Sequence, residues 1–269
     1  MLADKLIVVT GGCSGIGRQL AEDCLALGAT VVLVSDRPER LSIATSELRS
    51  EYTRVDSRAC DVGDSGSVAD MCEYVIRQHG CPHILVNNAG FATYRTIEES
   101  SLQELERLVD VNFLGAVRCS KGFLPSMIEK RAGTIVNIAS VAGRLPMTPN
   151  GTYSAAKHAL VAWSAALRWE LARFGINVNV ICPGRVETAF FDHETFAMRA
   201  PRAEARFTVP VHSVSQQTIR AIKRNRAITY IPAMLGPAIW MVNAFQPLSG
   251  ILYRRLMLSR IESAYQRES

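Results

Sequence analysis

KLIVVTGGCSGIGRQLAEDCLALG, residues 5–28, decides the fold. It opens on LIVVT, an apolar, β-branched run with no polar face, the composition of a strand buried on both sides. A glycine turn follows at once, and residues 15–27 then place apolar side chains at helical spacing. Strand, tight turn and helix in that order begin a βαβ unit.

The same alternation runs outward from this stretch. TVVLVS precedes a helical pattern over 38–49, RVDSRACDV precedes 65–79, HILVNNA precedes 101–127, GTIVNIAS precedes 152–174, and INVNVICPG closes the series. Apolar strands alternating with longer helical segments predict a doubly wound α/β domain, a parallel sheet between two helical layers. No repeat and no low-complexity linker divides residues 1–269, so a single Rossmann-type domain is expected. After Pro183 the alternation breaks, which assigns residues 184–226 to a substrate mouth and 227–269 to a C-terminal extension.

At 48% hydrophobic and 20% charged residues, the composition excludes a largely disordered chain. The seven cysteines (13, 24, 60, 72, 81, 119 and 182) stand singly, without a CxxC pair or a histidine at ligand spacing. That pattern predicts reduced thiols, a cytoplasmic setting and no metal site. The start, MLADKLIVVTGG, lacks the basic and apolar regions of a signal peptide. Net charge is +5, yet residues 217–269 hold eight basic and two acidic side chains, so the excess is a local property of the tail.

Two sets of residues carry chemistry. In the turn, Gly11, Gly15 and Gly17 permit close approach of the backbone to a pyrophosphate, beside a helix end that offers free N–H groups and a positive dipole. Their spacing is GxxxGxG, distinct from the commoner GxGxxG. Farther on, Tyr153 and Lys157 in TYSAAKHALVAW lie four apart, on one face of a helix. Spacing alone is compatible with an ordinary surface pair. A tyrosine is a poor base near neutral pH unless a cation stabilises its phenolate, and Lys157 is placed to do so.

TGGCSGIG at residues 10–17, NNAG at 87–90, Asn112 in VNFLG, Ser140 in IVNIAS, YSAAK at 153–157 and the pair Pro183–Gly184 occur in an order that resembles the short-chain dehydrogenase/reductase family. The likeness covers about residues 5–190. It implies seven strands in the order 3-2-1-4-5-6-7 and a nicotinamide dinucleotide cofactor. It also implies that Tyr153 is the acid/base, that Lys157 holds the nicotinamide ribose, that Ser140 orients the substrate oxygen and that Asn112 anchors a water reaching the lysine. The cofactor set implied is Gly11, Cys13, Ser14, Gly15, Ile16, Gly17, Ser35, Asp36, Arg37, Asp61, Val62, Asn88, Ala89, Gly90, Tyr153, Lys157, Pro183, Gly184, Val186 and Thr188. Asp61 and Val62 resemble the adenine-contacting pair, while Asn88 reads as mainly structural, tying neighbouring strands together.

The choice between NAD and NADP rests on LVSDRPERL. Ser35 stands where NAD-dependent relatives carry an acid, and Asp36 stands where many NADP-dependent relatives carry arginine. A carboxylate at Asp36 repels a 2′-phosphate and Ser14 adds no positive charge, which favours NAD, although Arg37 is one position away.

From Ala227 to Tyr253 there is no charged residue, but Pro232, Pro237, Pro247, Gly236 and Gly250 interrupt the run, so a spanning helix is not expected. Two readings stay open. The tail packs on its own domain or a sister subunit, or residues 227–260 make a peripheral contact at the inner membrane surface, with Trp240, Phe245 and Tyr253 at headgroup depth beside arginine clusters. The second reading is similar to membrane-associated lipid- and steroid-ketone reductases of the same family. Phe91, Tyr94, Leu145, Met147, Phe190, Phe191 and Phe196 around the mouth suit a hydrophobic substrate or a covered core.

The leading expectation is an NAD(P)-dependent oxidoreductase interconverting a secondary alcohol and a ketone, working as a homo-oligomer, dimer or tetramer, by resemblance. A catalytically idle dinucleotide-binding sensor or scaffold is the alternative, which the complete set Asn112, Ser140, Tyr153 and Lys157 disfavours. The basic residues bracket an uncharged run instead of forming a stripe, so a nucleic-acid partner is not expected.

Overall fold

The computed structural model describes residues 2–186, 188, 190, 208–245, 254 and 258. Seven strands form one parallel sheet in the order β3-β2-β1-β4-β5-β6-β7, as the family likeness implies. They are β1 (Leu6–Thr10), β2 (Thr30–Ser35), β3 (Val55–Ala59), β4 (Ile84–Asn87), β5 (Gly133–Ile138), β6 (Ile176–Pro183) and β7 (Ile228–Ile231). The β-branched runs are strands because both of their faces are covered. All five residues of β1 are buried, with Ile7 and Val9 in the core on one side and Val8 in the core on the other.

Helices α1 (Gly15–Ala26), α2 (Pro38–Glu51) and α7 (Val211–Lys223) cover the first face. Helices α3 (Ser65–His79), α4 (Leu102–Val109), α5 (Gly115–Lys130) and α6 (Gly151–Ala172) serve the second, where Phe123 and Met127 are fully buried. The last described helix, α8 (Leu235–Ala244), follows β7. None of the described helices is long and apolar enough to cross a membrane. Edge strand β3 is polar, and its Asp56 carboxylate accepts hydrogen bonds from Tyr74 at 2.9 Å and pairs with His79 at 2.7 Å. Charge on an exposed edge discourages pairing with another sheet.

One local expectation needs correction. The helical pattern over 101–127 is not one regular helix, because a π-turn, Asp110–Leu114, joins α4 to α5. The extra residue widens the helix at Asn112. On α6, Ser154 and Ala156 are buried while Ala155 faces outward.

Candidate active site

The C-terminal ends of the strands open into a cleft of about 1480 Å³. That is the position where open parallel α/β sheets bind ligands, and the volume accommodates a dinucleotide with a second molecule.

At one end lies the β1–α1 turn. Gly11 has φ +63° and Gly15 has φ +54°, a region L side chains rarely adopt. A side chain on Gly17 would collide with the Gly11 carbonyl and the Asn88 amide, so Gly17 shapes the turn from behind and does not line the cleft. Asn88 Nδ2 donates to Thr10 O at 2.9 Å and Gly11 O at 3.1 Å, and the Asn88 and Ala89 N–H groups donate to Thr10 Oγ1. It therefore ties β4 to the glycine turn. The neighbouring Asn87, which sequence reasoning passed over, links β4 to β5 by donating to Asn137 Oδ1 at 2.8 Å.

The lining of this end includes Cys13, Ser14, Ile16, Ser35, Asp36, Arg37, Asp61, Val62, Ala89 and Gly90. Ser35 is buried, and its hydroxyl is used within the protein, lying 3.2 Å from Cys13 Sγ and accepting from Arg37 N. Arg40, one helical turn beyond Arg37, joins Asp36 and Arg37 on the rim. Only the register of α2 reveals it. Asp61 meets Arg107, whose Nη2 lies 2.8 Å from both carboxylate oxygens. Burial pushes the Asp61 pKa up, but hydrogen bonds from Arg107 and the Gly63 N–H outweigh it and hold the carboxyl below its usual value.

At the other end Ser140, Tyr153 and Lys157 converge. Ser140 caps a 3₁₀ turn (Val141–Gly143), its Oγ accepting from Ala142 N at 3.1 Å, and it also hydrogen-bonds the Tyr153 phenol. Lys157 is 4% exposed; its Nζ donates to Ile138 O at 3.1 Å and stands 5.7 Å from the Tyr153 ring centroid. Asn112, behind the cleft wall, donates through Nδ2 to Phe91 O at 2.8 Å and Leu108 O at 3.0 Å. Its Oδ1 is buried and has no partner among the described residues. A Cβ on Gly90 would lie 2.6 Å from that oxygen and 3.5 Å from Lys157 Nζ, so both polar atoms border one glycine. A buried acceptor facing a buried ammonium is suited to a bridging water.

The electrostatics reverse one expectation. Burial pushes the Tyr153 phenol up to about 12, with the Ser140 hydrogen bond acting against it. Burial likewise pulls Lys157 down to about 8. Both ionised forms lose water, and for Tyr153 that loss outweighs the hydrogen bond from Ser140.

Pro183, Gly184, Val186 and Thr188 complete the wall, a Cβ on Gly15 lying 3.2 Å from Thr188. Phe91, Tyr94, Met147 and Phe190 line the mouth as expected, whereas Leu145 does not. The Phe190 ring lies 6.0 Å from that of Tyr153. Phe191 and Phe196 fall outside the described residues. The structure adds Pro232, Met234 and Leu235 at the lip. His158 bonds only its own helix, at Ser154 O, and no cluster of metal-binding side chains occurs among the described residues.

A family model for short chain dehydrogenases matches residues 5–198. The ketoacyl reductase HetN of a Nostoc species is 32% identical over 222 residues, covering 82% of this chain and 76% of that protein. An oxidoreductase of Staphylococcus epidermidis is 33% identical over 229 residues, 81% of this chain and 98% of that one. Among solved structures, a short chain dehydrogenase/reductase from Burkholderia phymatum in complex with NAD superposes with a TM-score of 0.85 at 26% identity, over 92% of this chain and 96% of that one. A short-chain dehydrogenase from Sphingobium yanoikuyae in complex with NADPH gives 0.80 at 25% identity, over 91% and 95%.

Proposed function

The chain belongs to the short chain dehydrogenase family and is an oxidoreductase; from that premise we propose that it interconverts a secondary alcohol and a ketone, with a nicotinamide dinucleotide in the cleft. One observation carries the reading: Ser140, Tyr153 and Lys157 meet in the same cleft whose far end is the glycine turn. The residues present fit a dinucleotide. The turn that forms the cradle leaves no room for a side chain at Gly11 or Gly17, which would meet Ala89 and Asn88 or the Gly11 carbonyl, and it opens α1.

When bound, the nicotinamide dinucleotide supplies the hydride chemistry. The chain's own groups do the rest. Gly11, Cys13, Ser14, Gly15 and Ile16 would hold the pyrophosphate, Asp61 and Val62 would hold the adenine, and Lys157 would bind the ribose hydroxyls. Ser140 Oγ orients the substrate oxygen, and Tyr153 Oη gives that oxygen its proton in reduction or takes it in oxidation. A phenol held high, near 12, is fully protonated at neutral pH and ready for the reductive direction. The ketoacyl reductase among the relatives agrees with that direction.

We further propose NAD as the preferred cofactor, with Asp36 toward the ribose hydroxyls, and a hydrophobic, lipid-like substrate. The lip supports the second point. Met234, itself 76% exposed, borders the cleft and leads onto α8, where Trp240 and Met241 are also exposed, as is Phe245 just past its end. Such a surface suits peripheral contact with lipid. Flotation with anionic liposomes tests this; a protein that stays with the soluble fraction refutes it.

The decisive experiment follows nicotinamide absorbance against 3-oxoacyl thioesters, long-chain ketones and steroid ketones, for the parent and Tyr153→Phe. Parent turnover that falls at least 100-fold in the variant, with cofactor Kd within about threefold, is expected. Near-normal activity in Tyr153→Phe overturns the assignment.

A further inference from the structure

Arg118, on α5, lies outside the cleft, yet it holds the one irregular turn on which Asn112 depends. In the π-turn Asp110–Leu114, the Gly115 N–H donates to Asp110 O, the five-residue step that defines the wide turn. Arg118 Nη1 donates to the same carbonyl at 3.3 Å. Its Nη2 bonds the Asp110 carboxylate at 2.7 Å, a pair with both side chains partly shielded. The remaining face of the guanidinium turns to the loop after β3 and the start of α3, with Nη1 reaching Val62 O at 3.5 Å and Nε donating to Ser65 Oγ at 3.1 Å. That loop is pressed against the turn, since a Cβ on Gly115 would lie 2.8 Å from Val62 Cγ2.

A π-turn adds a residue to a helix at the cost of regular hydrogen bonding, so a side chain that bonds the displaced groups marks its position. Here the mark is specific. One planar, five-donor group reads the carbonyl and the carboxylate of the turn's first residue and pins both to a neighbouring loop. The consequence falls two residues on. With the turn at Asp110, Val111 lines the cleft and Asn112 Oδ1 borders Gly90 beside Lys157. A shift by one residue rotates Asn112 about 100° away from that position.

We propose that Arg118 is a positioning residue of the reaction: it locks the register of the π-turn and so aims the Asn112 carbonyl at Lys157. The inference rests on the proposed role of Asn112 and Lys157, and acts through Asn112 alone. Arg118→Gln, Asn112→Ala and the double variant test it with the fastest ketone of the panel above. Asn112→Ala is expected to lower kcat at least tenfold, Arg118→Gln at least fivefold with cofactor Kd within twofold, and the double variant no further than Asn112→Ala. Arg118→Lys, which keeps the charge but fewer donors, falls between parent and Arg118→Gln. A second readout needs no turnover. In a ¹³C NMR titration of the lysine side chains, Lys157 shifts downward by the same amount in Asn112→Ala and in the double variant, and downward in Arg118→Gln.

Multiplicative losses in the double variant overturn the proposal, as does an Arg118→Gln protein that melts lower but keeps the parent kcat and Lys157 titration. Full turnover in Asn112→Ala overturns the role of Asn112 itself, a different failure from that of the Arg118 link.

Discussion

Replacing Lys157 by methionine is expected to stabilise the cofactor-free protein while abolishing turnover. Lys157 is buried, and its pKa falls from the ordinary 10.5 to about 8. Below about pH 8 the lysine is charged in both the folded and the unfolded chain, and the fold carries the full cost of that charge. Between about 8 and 10.5 the unfolded chain still binds the proton and the folded one does not, so stability rises with pH through this window. The drop corresponds to about 3 kcal/mol at neutral pH. Methionine has a chain of similar length and no charge, but it strands the Ile138 carbonyl that Lys157 now satisfies, at a loss of about 1 kcal/mol. The net gain of about 2 kcal/mol translates to a Tm higher by roughly 4–8 °C for a protein of this size. Thermal melts of parent and variant at pH 7 and pH 10 measure it. The titration of Tyr153, whose raised pKa erodes stability above about 10, is common to both proteins and cancels from the difference. A variant that melts below the parent at pH 7, or a gap that does not narrow by pH 10, refutes the buried-charge account.

Gly17→Ala should weaken cofactor binding at least tenfold and cost about 1–3 kcal/mol of stability, because the new methyl group meets the Gly11 carbonyl and the Asn88 amide. Fluorescence titration with NADH and a urea melt report the two effects, and parent-like affinity would show that the turn is not the cradle. At the rim, the parent should favour NADH, and Asp36→Asn should move the kcat/KM ratio toward NADPH by about tenfold, equivalent to about 1.4 kcal/mol, since Arg37 and Arg40 remain to meet a 2′-phosphate. A parent enzyme with a tenfold preference for NADPH contradicts the role given to Asp36.

The strands and most helices were legible because their signal is local. LIVVT and TVVLVS are apolar on both faces, and only a sheet covered on both sides buries such runs. The π-turn was not legible, because one inserted residue hardly disturbs an apolar period spread over 101–127. Arg118 with Asp110, and Arg107 with Asp61, were hidden for another reason. Charged side chains are common on helices, and nothing in their spacing says which loop they will meet.

By itself, the sequence determined the alternation of buried strands and covering helices, the glycine turn after β1, and the placing of Tyr153 and Lys157 on one helical face. Each follows from chemistry within a few residues along the chain. Tertiary structure alone decided the direction of the Tyr153 and Lys157 pKa values, the aim of Asn112, the presence of Arg40 on the rim and the apolar lip from β7 to α8. These depend on how much water each group loses and on which distant atoms surround it, and both are properties of packing that no local spacing encodes.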